Sequence, residues 1–293
     1  MNERRLTVLR GRAGAKVTLS LRVLGTRPDG FHELDALTVL TAAPFDDVVI
    51  SQQPRSMTTV VVTPRDSAPT KASDNLAARA VELLRPHMPA TIHGVRIKLT
   101  KRIPMGAGVG GGSSDAATVL RLLQRHYRIS GATIRRAAAK LGSDVPFCVR
   151  GAPAWLRGRG ERLVAAPHVP PLHLVIATPP FGCATPAVYR AWDELGGPTS
   201  DRVVESDLLD GGLRNDLEAA ALVVAPALAD WRDRMAALTR RSPLLLGSGS
   251  SYAVLVADAD EAARHEAALR EGLGSTRVWA TTTAGANTPP RST

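Results

Sequence analysis

The chain has only two cysteines, Cys148 and Cys183, among its 293 residues. Two separated cysteines make neither a disulfide framework nor a metal ligand set, which excludes the small disulfide-stapled and zinc-finger classes. Long apolar runs are also missing, and no stretch approaches the roughly 20 residues that a membrane-spanning helix needs. Residues 1–5 are not followed by the apolar core of a secretory signal. These absences predict a reducing, cytoplasmic compartment.

Acidic residues are fewer than basic ones: the chain has 27 Asp and Glu and 37 Lys and Arg, which gives a net charge of +10. A basic protein attracts nucleic acids and anionic small molecules. The arginines come in short, separated pairs and aromatics make up only 4% of the chain, so no basic block or aromatic RNA-binding motif is present. We therefore expect an anionic small-molecule substrate, no nucleic acid, no membrane partner, and a monomer or weak homodimer. A nucleic-acid-binding module is the least favoured alternative.

Glycine is concentrated between Pro104 and Ser114, where five glycines fall at 106, 108, 110, 111 and 112. Glycine tolerates positive φ and lets a backbone approach a ligand closely. Good N-cap residues follow, and apolar residues at 116, 119, 120 and 123 then repeat at helical spacing. A glycine loop that leads into a helix N-terminus presents unpaired N–H groups and a partial positive charge, which suit a phosphate.

This loop fits neither common nucleotide motif well. A Walker A loop has Lys and then Ser or Thr after its last glycine, whereas Gly112 is followed by Ser113. Residues 106–111 fit the string G-x-G-x-x-G, but the preceding segment 95–100 alternates apolar and charged residues, which is typical of a strand with one buried face. A plain turn needs only one or two glycines, so a phosphate cradle is the favoured interpretation.

Three other segments carry candidate chemistry. Lys16 lies among small and apolar residues of an alternating strand, where a buried ammonium needs a partner. Asp144 follows a predicted helix over about 131–141, and a reactive carboxylate and an ordinary turn residue fit it about equally. Phe31 and His32 stand side by side after a turn at 27–30, and an exposed loop is the simpler interpretation of that pair.

Strands and helices are mixed along the chain without a strict βαβα order, which predicts the α+β class. A proline-rich stretch over 165–171 divides a first domain, 1–166, from a second, 167–280. Residues 281–293 are small and polar and are predicted to form a disordered tail.

Four patches resemble the GHMP kinase family: 15–34, 104–117, 141–147 with 158–161, and 247–250. The resemblance implies a two-domain fold, ribosomal S5 domain 2-like at the N-terminus and ferredoxin-like at the C-terminus, with the active site in the cleft between them. The glycine loop indicates only the superfamily. The segment Pro28-Asp-Gly-Phe-His32 indicates the branch that uses ATP to phosphorylate the 2-hydroxyl of a cytidine diphosphate-linked methylerythritol, in the non-mevalonate isoprenoid pathway. Another GHMP-type kinase, acting on a sugar or amino alcohol, is the alternative.

The resemblance also implies catalytic and nucleotide-binding roles. Asp144 would be the general base that accepts the proton of the substrate hydroxyl, and Lys16 would keep it ionised and offset charge on the moving phosphoryl group. Asn75 would lie near the adenine, and the Ser114 hydroxyl would contact Mg²⁺. The ATP phosphates would lie on the loop residues Pro104, Met105, Gly106, Ala107, Gly108, Val109, Gly110, Gly111, Gly112, Ser113 and Ser114.

Four residues are assigned to the cytidyl substrate by the same resemblance. Phe31 would stack on the cytosine, His32 would bond its edge, and Thr18 would contact the substrate. Phe181 would stack on the opposite face of the base, although a core aromatic is nearly as good an interpretation. Thr18 stands where the family commonly has Asn, Phe31 where Tyr is usual, and Cys148 where an aromatic or apolar residue is common. These departures bear on substrate preference rather than on reaction class.

Overall fold

The computed structural model describes residues 8–64, 68–167, 169–201, 213–275 and 277–283. Its strands are β1 (Leu9–Thr26), β2 (His32–Gln53), β3 (Thr58–Thr63), β4 (Gly94–Thr100), β5 (Ala154–Gly158), β6 (Arg162–Ala165), β7 (His173–Ala177), β8 (Arg214–Asn215), β9 (Leu244–Leu245), β10 (Tyr252–Val256) and β11 (Val278–Thr282). Its helices are α1 (Leu76–Leu84), α2 (Gly111–Tyr127), α3 (Gly131–Leu141), α4 (Val145–Arg150), α5 (Thr185–Glu194), α6 (Glu218–Val224), α7 (Ala227–Thr239) and α8 (Ala259–Leu273). Among these helices, none is long and apolar enough to cross a membrane.

Seven strands form the larger sheet, in the order β3-β4-β2-β1-β8, with the hairpin β5–β6 joined to β2. Strand β2 pairs with β1 and changes its other neighbour midway, since β5 pairs with residues 34–38 and β4 with residues 47–53. The sequence pattern favours two strands here, over 34–40 and 47–51, and the structure joins them into one. Register shifts in the β1–β2 ladder let the long strands bend.

Strand β1 is buried on both faces. One face contributes Ala13, Leu21 and Val23 to a cluster with the helices of the larger sheet. The other contributes Val17 and Leu19 to a cluster shared with the smaller sheet. A strand packed on both sides has little freedom to move, so the side chains that it carries toward the site are held in place.

The smaller sheet has the order β11-β7-β10-β9, and all its pairs are antiparallel. The predicted tail begins inside it, because Thr281 and Thr282 belong to β11 and Thr283 forms a bridge with Thr41 of β2. Thr281 also accepts a hydrogen bond from the backbone N–H of Ala43. β-Branched threonines suit a strand despite their polarity. The rest of that tail, residues 284–293, lies outside the described residues.

Helix boundaries near the glycine loop differ from the sequence pattern. The sequence favours a helix that starts near residue 115, but α2 begins at Gly111, with Gly110 in the left-handed region at its N-cap. The predicted helix over 131–141 matches α3, which Ser130 caps by accepting a hydrogen bond from the N–H of Thr133. A further short helix, α4, follows at once and places Asp144 at its own N-cap.

Candidate active site

Lys16 and Asp144 form an ion pair, with 2.8 Å between Nζ and Oδ2. A register shift between Gly14 and Lys16 breaks the regular ladder of β1 where the lysine emerges, and bulges of this kind redirect side chains next to active sites. The backbone N–H of Lys16 donates to the carbonyl of Val109 at 3.0 Å, which ties the strand to the glycine loop. The two side chains are 12% and 30% exposed, so the pair is shielded but reachable.

The ordinary-turn interpretation of Asp144 does not describe its side chain. An aspartate at a helix N-cap normally accepts a hydrogen bond from one of the first N–H groups of the helix. Asp144 stands at the N-cap of α4, yet it makes no such bond in the described part of the chain. Its carboxylate therefore remains available to Lys16 and to a bound molecule.

Two glycine-rich segments pack against each other beside this pair. A Cβ on Gly108 would lie 2.2 Å from the carbonyl oxygen of Leu246, and the N–H of Ser251 donates to the carbonyl of Ala107 at 3.2 Å. A Cβ on Gly110 would lie 2.8 Å from Cγ of Lys16, so only glycine lets the lysine pass. Because the N-cap of α2 is a glycine, no side chain caps the first N–H groups of the helix, and these groups suit an anion.

A cavity of about 750 Å³ opens onto the pair and the glycine loop. This is the size of a site for a cofactor or small substrate. Most of the residues assigned from the sequence line it: Lys16, Thr18, Phe31, His32, Pro104, Met105, Gly106, Ala107, Gly108, Gly110, Gly111, Gly112, Ser113 and Asp144. The structure thus brings the N-terminal turn, the loop and the Asp144 segment to one place.

His32 is held at one end of this cavity rather than lying free in a loop. Its Nε2 is 2.9 Å from Oδ1 of Asp193, and its ring centroid is 4.6 Å from that of Tyr189. The hydrogen bond from His32 lowers the pKa of Asp193, so the carboxylate stays charged. The neighbouring Phe31 ring is 53% exposed and lies under the guanidinium of Arg159, with 4.6 Å between Cζ and the ring centroid.

A buried charge cluster stands behind the glycine loop. Lys101 lines the cavity and pairs with Asp46 and with Oδ2 of Asp115, the latter at 2.6 Å. Burial and the neighbouring Asp46 together outweigh the attraction of Lys101 and raise the pKa of Asp115 to about 7. Burial alone would lower the pKa of Lys101, but the two aspartates raise it. Asp46 also accepts from the backbone N–H of Ile103 at 2.9 Å, so the cluster fixes the chain just before the loop.

Comparison with known proteins identifies the family. Residues 75–152 match the GHMP kinases N terminal domain. The 4-diphosphocytidyl-2-C-methyl-D-erythritol kinase of Cutibacterium acnes is 38% identical over 278 residues, which cover 88% of this chain and 89% of that protein. The chain belongs to the 4-diphosphocytidyl-2-C-methyl-D-erythritol kinase family of GHMP kinases.

Solved structures agree with this membership. A crystal structure of 4-(cytidine 5'-diphospho)-2C-methyl-D-erythritol kinase matches with a TM-score of 0.79 at 35% identity. The match covers 94% of this chain and 100% of the chain in that structure. The homoserine kinase of Cytophaga hutchinsonii matches with a TM-score of 0.66 at 16% identity, covering 95% of each chain, which shows a shared fold alone. The α+β GHMP kinase fold expected from the sequence is confirmed.

Four residues assigned to ligands of this kinase are absent from the described cavity wall. Val109 and Ser114 are each only 1% exposed. Asn75 uses its amide within the protein, since Oδ1 accepts from the N–H of Ala77 at 3.0 Å and Nδ2 donates to the carbonyl of Pro69 at 2.6 Å. Phe181 packs against the hydrophobic core. The packing of Phe181 favours its alternative interpretation as a core aromatic, and the hydroxyl that lines the described cavity wall is that of Ser113 rather than Ser114; the ligand roles of these residues stay predictions.

Tyr189 is the aromatic residue that sequence reasoning missed. It lines the cavity together with Arg190 and Asp193 of the same helix, α5. The spacing of Tyr189 and Asp193 by four residues places both on one helix face, and that spacing was visible in the sequence. Nothing local marked the face as part of the kinase site, because its partner His32 belongs to a distant strand.

Proposed function

We propose that this kinase transfers the γ-phosphoryl group of ATP to the 2-hydroxyl of 4-diphosphocytidyl-2-C-methyl-D-erythritol, a step of the non-mevalonate (methylerythritol phosphate) route to isoprenoids. The observation that carries the proposal is the Lys16–Asp144 pair, 2.8 Å apart on a cavity wall that also holds the glycine loop and His32. Family membership supports this substrate over others. We assign the first 166 residues to ATP binding and residues 167–280 to the second domain, from which β8 returns to the larger sheet while β11 continues to Thr282.

The glycine loop positions the nucleotide. The first N–H groups of α2 and the positive end of the helix dipole would bind the phosphates, and no capping side chain would have to move first. Phosphoryl transfer depends mainly on positioning and on offsetting negative charge. The packing of Gly108 on the Leu246 segment keeps this cradle rigid, so the phosphates of ATP would be held in one register beside Lys16.

Asp144 is the proposed general base. Carbon 2 of the substrate carries the methyl branch, so its hydroxyl is tertiary and crowded, and its approach to the γ-phosphorus must be guided. Asp144 would accept the proton of that hydroxyl at Oδ1 or Oδ2, while Lys16 holds the carboxylate in place and offsets charge on the transferred group. The N-cap position of Asp144 fixes its backbone. In the described chain, its carboxylate accepts no capping hydrogen bond from the N–H groups of α4.

Mg²⁺ fits this site as part of a metal–nucleotide complex. Protein sites for Mg²⁺ commonly supply only one or two oxygens, and substrate phosphates and waters supply the rest. The described residues contain no group of three or more His, Cys, Asp or Glu that could hold a metal alone. The Ser113 hydroxyl, on the cavity wall, would supply one oxygen to the ion, while the Asp144 carboxylate stays paired with Lys16 and free to act as base. When bound, it neutralises charge on the phosphates.

His32, Phe31 and Tyr189 are proposed to hold the cytosine. Asp193 accepts a hydrogen bond from Nε2–H of His32, and in that neutral tautomer Nδ1 is an acceptor that suits the exocyclic amine of cytosine. The corresponding atom of uracil is an acceptor as well, so a uridyl analogue would leave Nδ1 unpaired. The aromatic rings of Phe31 and Tyr189 offer stacking surfaces. Thr18, whose hydroxyl is 3.4 Å from that of Thr38, lines the wall between this end and Lys16.

The test is phosphoryl transfer from ATP to the cytidyl substrate, run beside its uridyl analogue, homoserine and a hexose. We expect transfer to the cytidyl substrate, with kcat/KM at least ~100-fold above that for the uridyl analogue, because a polar group left unpaired in a site discriminates strongly. Transfer to homoserine or the hexose without transfer to the cytidyl substrate would establish the alternative, a GHMP-type kinase for an amino alcohol or sugar. Salt-sensitive RNA binding without any transfer would establish the nucleic-acid-binding module.

The location and assembly follow from the same proposal. ATP is a cytoplasmic metabolite, and Cys148 and Cys183 are both free and buried, which suits a reducing compartment. We assign the enzyme to the cytoplasm and expect a monomer or weak homodimer without a nucleic-acid or membrane partner. Light scattering over a range of protein concentrations measures the assembly, and a stable tetramer would contradict it.

A further inference from the structure

The cavity wall carries more positive charge than its own carboxylates neutralise. Its acidic residues, Asp144 and Asp193, are already paired with Lys16 and His32. Lys101 is paired with two buried aspartates. In the described ranges of the chain, the remaining lining cations, Arg159 and Arg190, have no carboxylate within 4.0 Å of their guanidinium groups. Arg159 interacts with Asp29 at longer range, but Asp29 is itself paired with Arg27 at 3.3 Å. Two arginines on a cavity wall that form no ion pair of their own suit an anionic ligand.

Arg159 has a defined place, because the turn that carries it is fixed. The turn joins β5 to β6, and the backbone N–H of Arg159 donates to Oε2 of Glu161 at 2.6 Å. The N–H of Gly158 donates to Oε1 of Glu33 at 3.1 Å. Both nearby glutamates thus bind the backbone of the turn, and Glu161 does not neutralise the guanidinium.

The same turn lies between the two ends of the cavity. On one side, Cζ of Arg159 is 4.6 Å from the ring centroid of Phe31, at the proposed cytosine end. On the other side, a Cβ on Gly160 would lie 3.8 Å from Cβ of Ser143, the residue before Asp144. In the proposed substrate, the diphosphate lies between the cytidine and the methylerythritol. The turn therefore lies where the diphosphate must pass.

We propose that Arg159 binds the diphosphate of the cytidyl substrate and makes the site prefer nucleoside diphosphates over nucleosides. The inference rests on the proposed function for the identity of the ligand. A guanidinium matches phosphate oxygens with two parallel hydrogen bonds. Contact with the face of Phe31 orients the guanidinium before the ligand arrives, which reduces the rotamer entropy lost on binding.

The experiment measures binding of CDP, CMP and cytidine by calorimetry, with ADP at saturating concentration so that the glycine loop is filled. The variants are Arg159→Gln and Arg159→Lys, with Arg162→Gln as the control, because Arg162 is an exposed arginine of the adjacent strand outside the described cavity wall. We expect Arg159→Gln to weaken CDP binding by ~10- to 100-fold and cytidine binding by less than about 2-fold, with partial rescue by lysine. Arg162→Gln should leave all three ligands unchanged.

Two results would overturn the proposal. Equal losses for CDP and cytidine would mean that Arg159 only braces the Phe31 ring, and unchanged CDP binding would mean that it has no role in the site. Phosphoryl transfer by the unmodified enzyme separates this proposal from the function. If transfer to the cytidyl substrate occurs and Arg159→Gln leaves KM unchanged, the subsite alone is wrong. If CDP binding depends on Arg159 but no transfer occurs, the proposed function is wrong and the anion subsite stands.

Discussion

A Cβ on Gly108 would lie 2.2 Å from the carbonyl oxygen of Leu246 and 2.8 Å from that of Gly249, because two glycine-rich segments pack backbone against backbone. Gly108 also has φ +76°, which side chains rarely adopt. Neither carbonyl oxygen can swing aside as a flexible side chain would. We expect Gly108→Ala to lower the free energy of unfolding by more than ~2 kcal/mol, measured by urea denaturation, since it combines strain with overpacking.

Gly106 provides the matched control in the same loop. Its φ is +69°, but no described atom lies within 4 Å of a Cβ added there. Gly106→Ala should therefore cost only about 1 kcal/mol for the left-handed backbone. Equal losses from the two substitutions would mean that backbone strain alone, and no close packing of the two segments, makes glycine necessary at Gly108.

The sequence predicts this loop better than it predicts the surroundings of the loop. The phosphate cradle follows from five clustered glycines and a helix start, which are local features. The contact between Gly108 and Leu246 depends on how the smaller sheet packs on β1, and no local pattern encodes that distance. Likewise, only the family resemblance assigns catalytic roles to Lys16 and Asp144, since composition and spacing alone leave Asp144 as a turn residue or a base.

The aromatic assignments show the same limit. Phe181 and Tyr189 belong to one short segment, and both are aromatic, so the sequence offered no physical reason to choose between them. Both rings are partly buried against the core, and what separates them is that Tyr189 lies beside His32 on the cavity wall whereas Phe181 is not among the residues that line it. The local sequence favours an exposed loop for His32, because its partner Asp193 belongs to α5, which only the fold brings near.

Asp144→Asn is expected to lower kcat by ~100- to 10,000-fold, which is the usual contribution of a positioned general base. The amide keeps the shape of the carboxylate but cannot take the proton of the hydroxyl. Binding of ATP should change by less than about 3-fold, because the loop holds phosphates through backbone N–H groups. Single-turnover transfer and nucleotide calorimetry measure the two effects.

Asp230 supplies the control for this substitution. It lies on α7 with its side chain 76% exposed, paired only loosely with Arg234 at 3.7 Å. Asp230→Asn should leave kcat and nucleotide binding unchanged, since exposed ion pairs contribute little. A near-normal kcat for Asp144→Asn would remove Asp144 from the role of base and leave Lys16 without its proposed partner in catalysis.

Asp115 should make stability depend on pH between about 4 and about 7. Burial raises its pKa from 3.8 to about 7 in the folded protein, while the unfolded chain retains the ordinary value. Between these values the folded state keeps a proton that the unfolded state has released. The stability contributed by this group is therefore complete below pH ~4 and is lost as the pH rises through about 7.

Asp115→Asn removes this titration. The variant should gain stability relative to the unmodified protein as the pH rises from 4 to 7, by at most about 1.4 kcal/mol per pH unit, and no further above pH ~7.5. Urea denaturation at several pH values measures the difference. Asp260→Asn, an exposed position in the first turn of α8, is the control and should give a constant difference. A constant difference for Asp115→Asn as well would show that the cluster with Lys101 keeps both of its aspartates ionised.

Tyr189→Leu and Phe181→Leu should differ in their effect on cytidine binding, although both rings pack against the core. Tyr189 is one of the aromatic rings on the described cavity wall, and stacking of a base on such a ring contributes ~1–3 kcal/mol. Tyr189→Leu should thus weaken cytidine binding by ~5- to 100-fold, measured with ADP present. Phe181→Leu should leave cytidine binding within about 2-fold and instead lower the free energy of unfolding, because that ring packs on the core. If Phe181→Leu weakened cytidine binding and Tyr189→Leu did not, Phe181 would be the stacking residue instead.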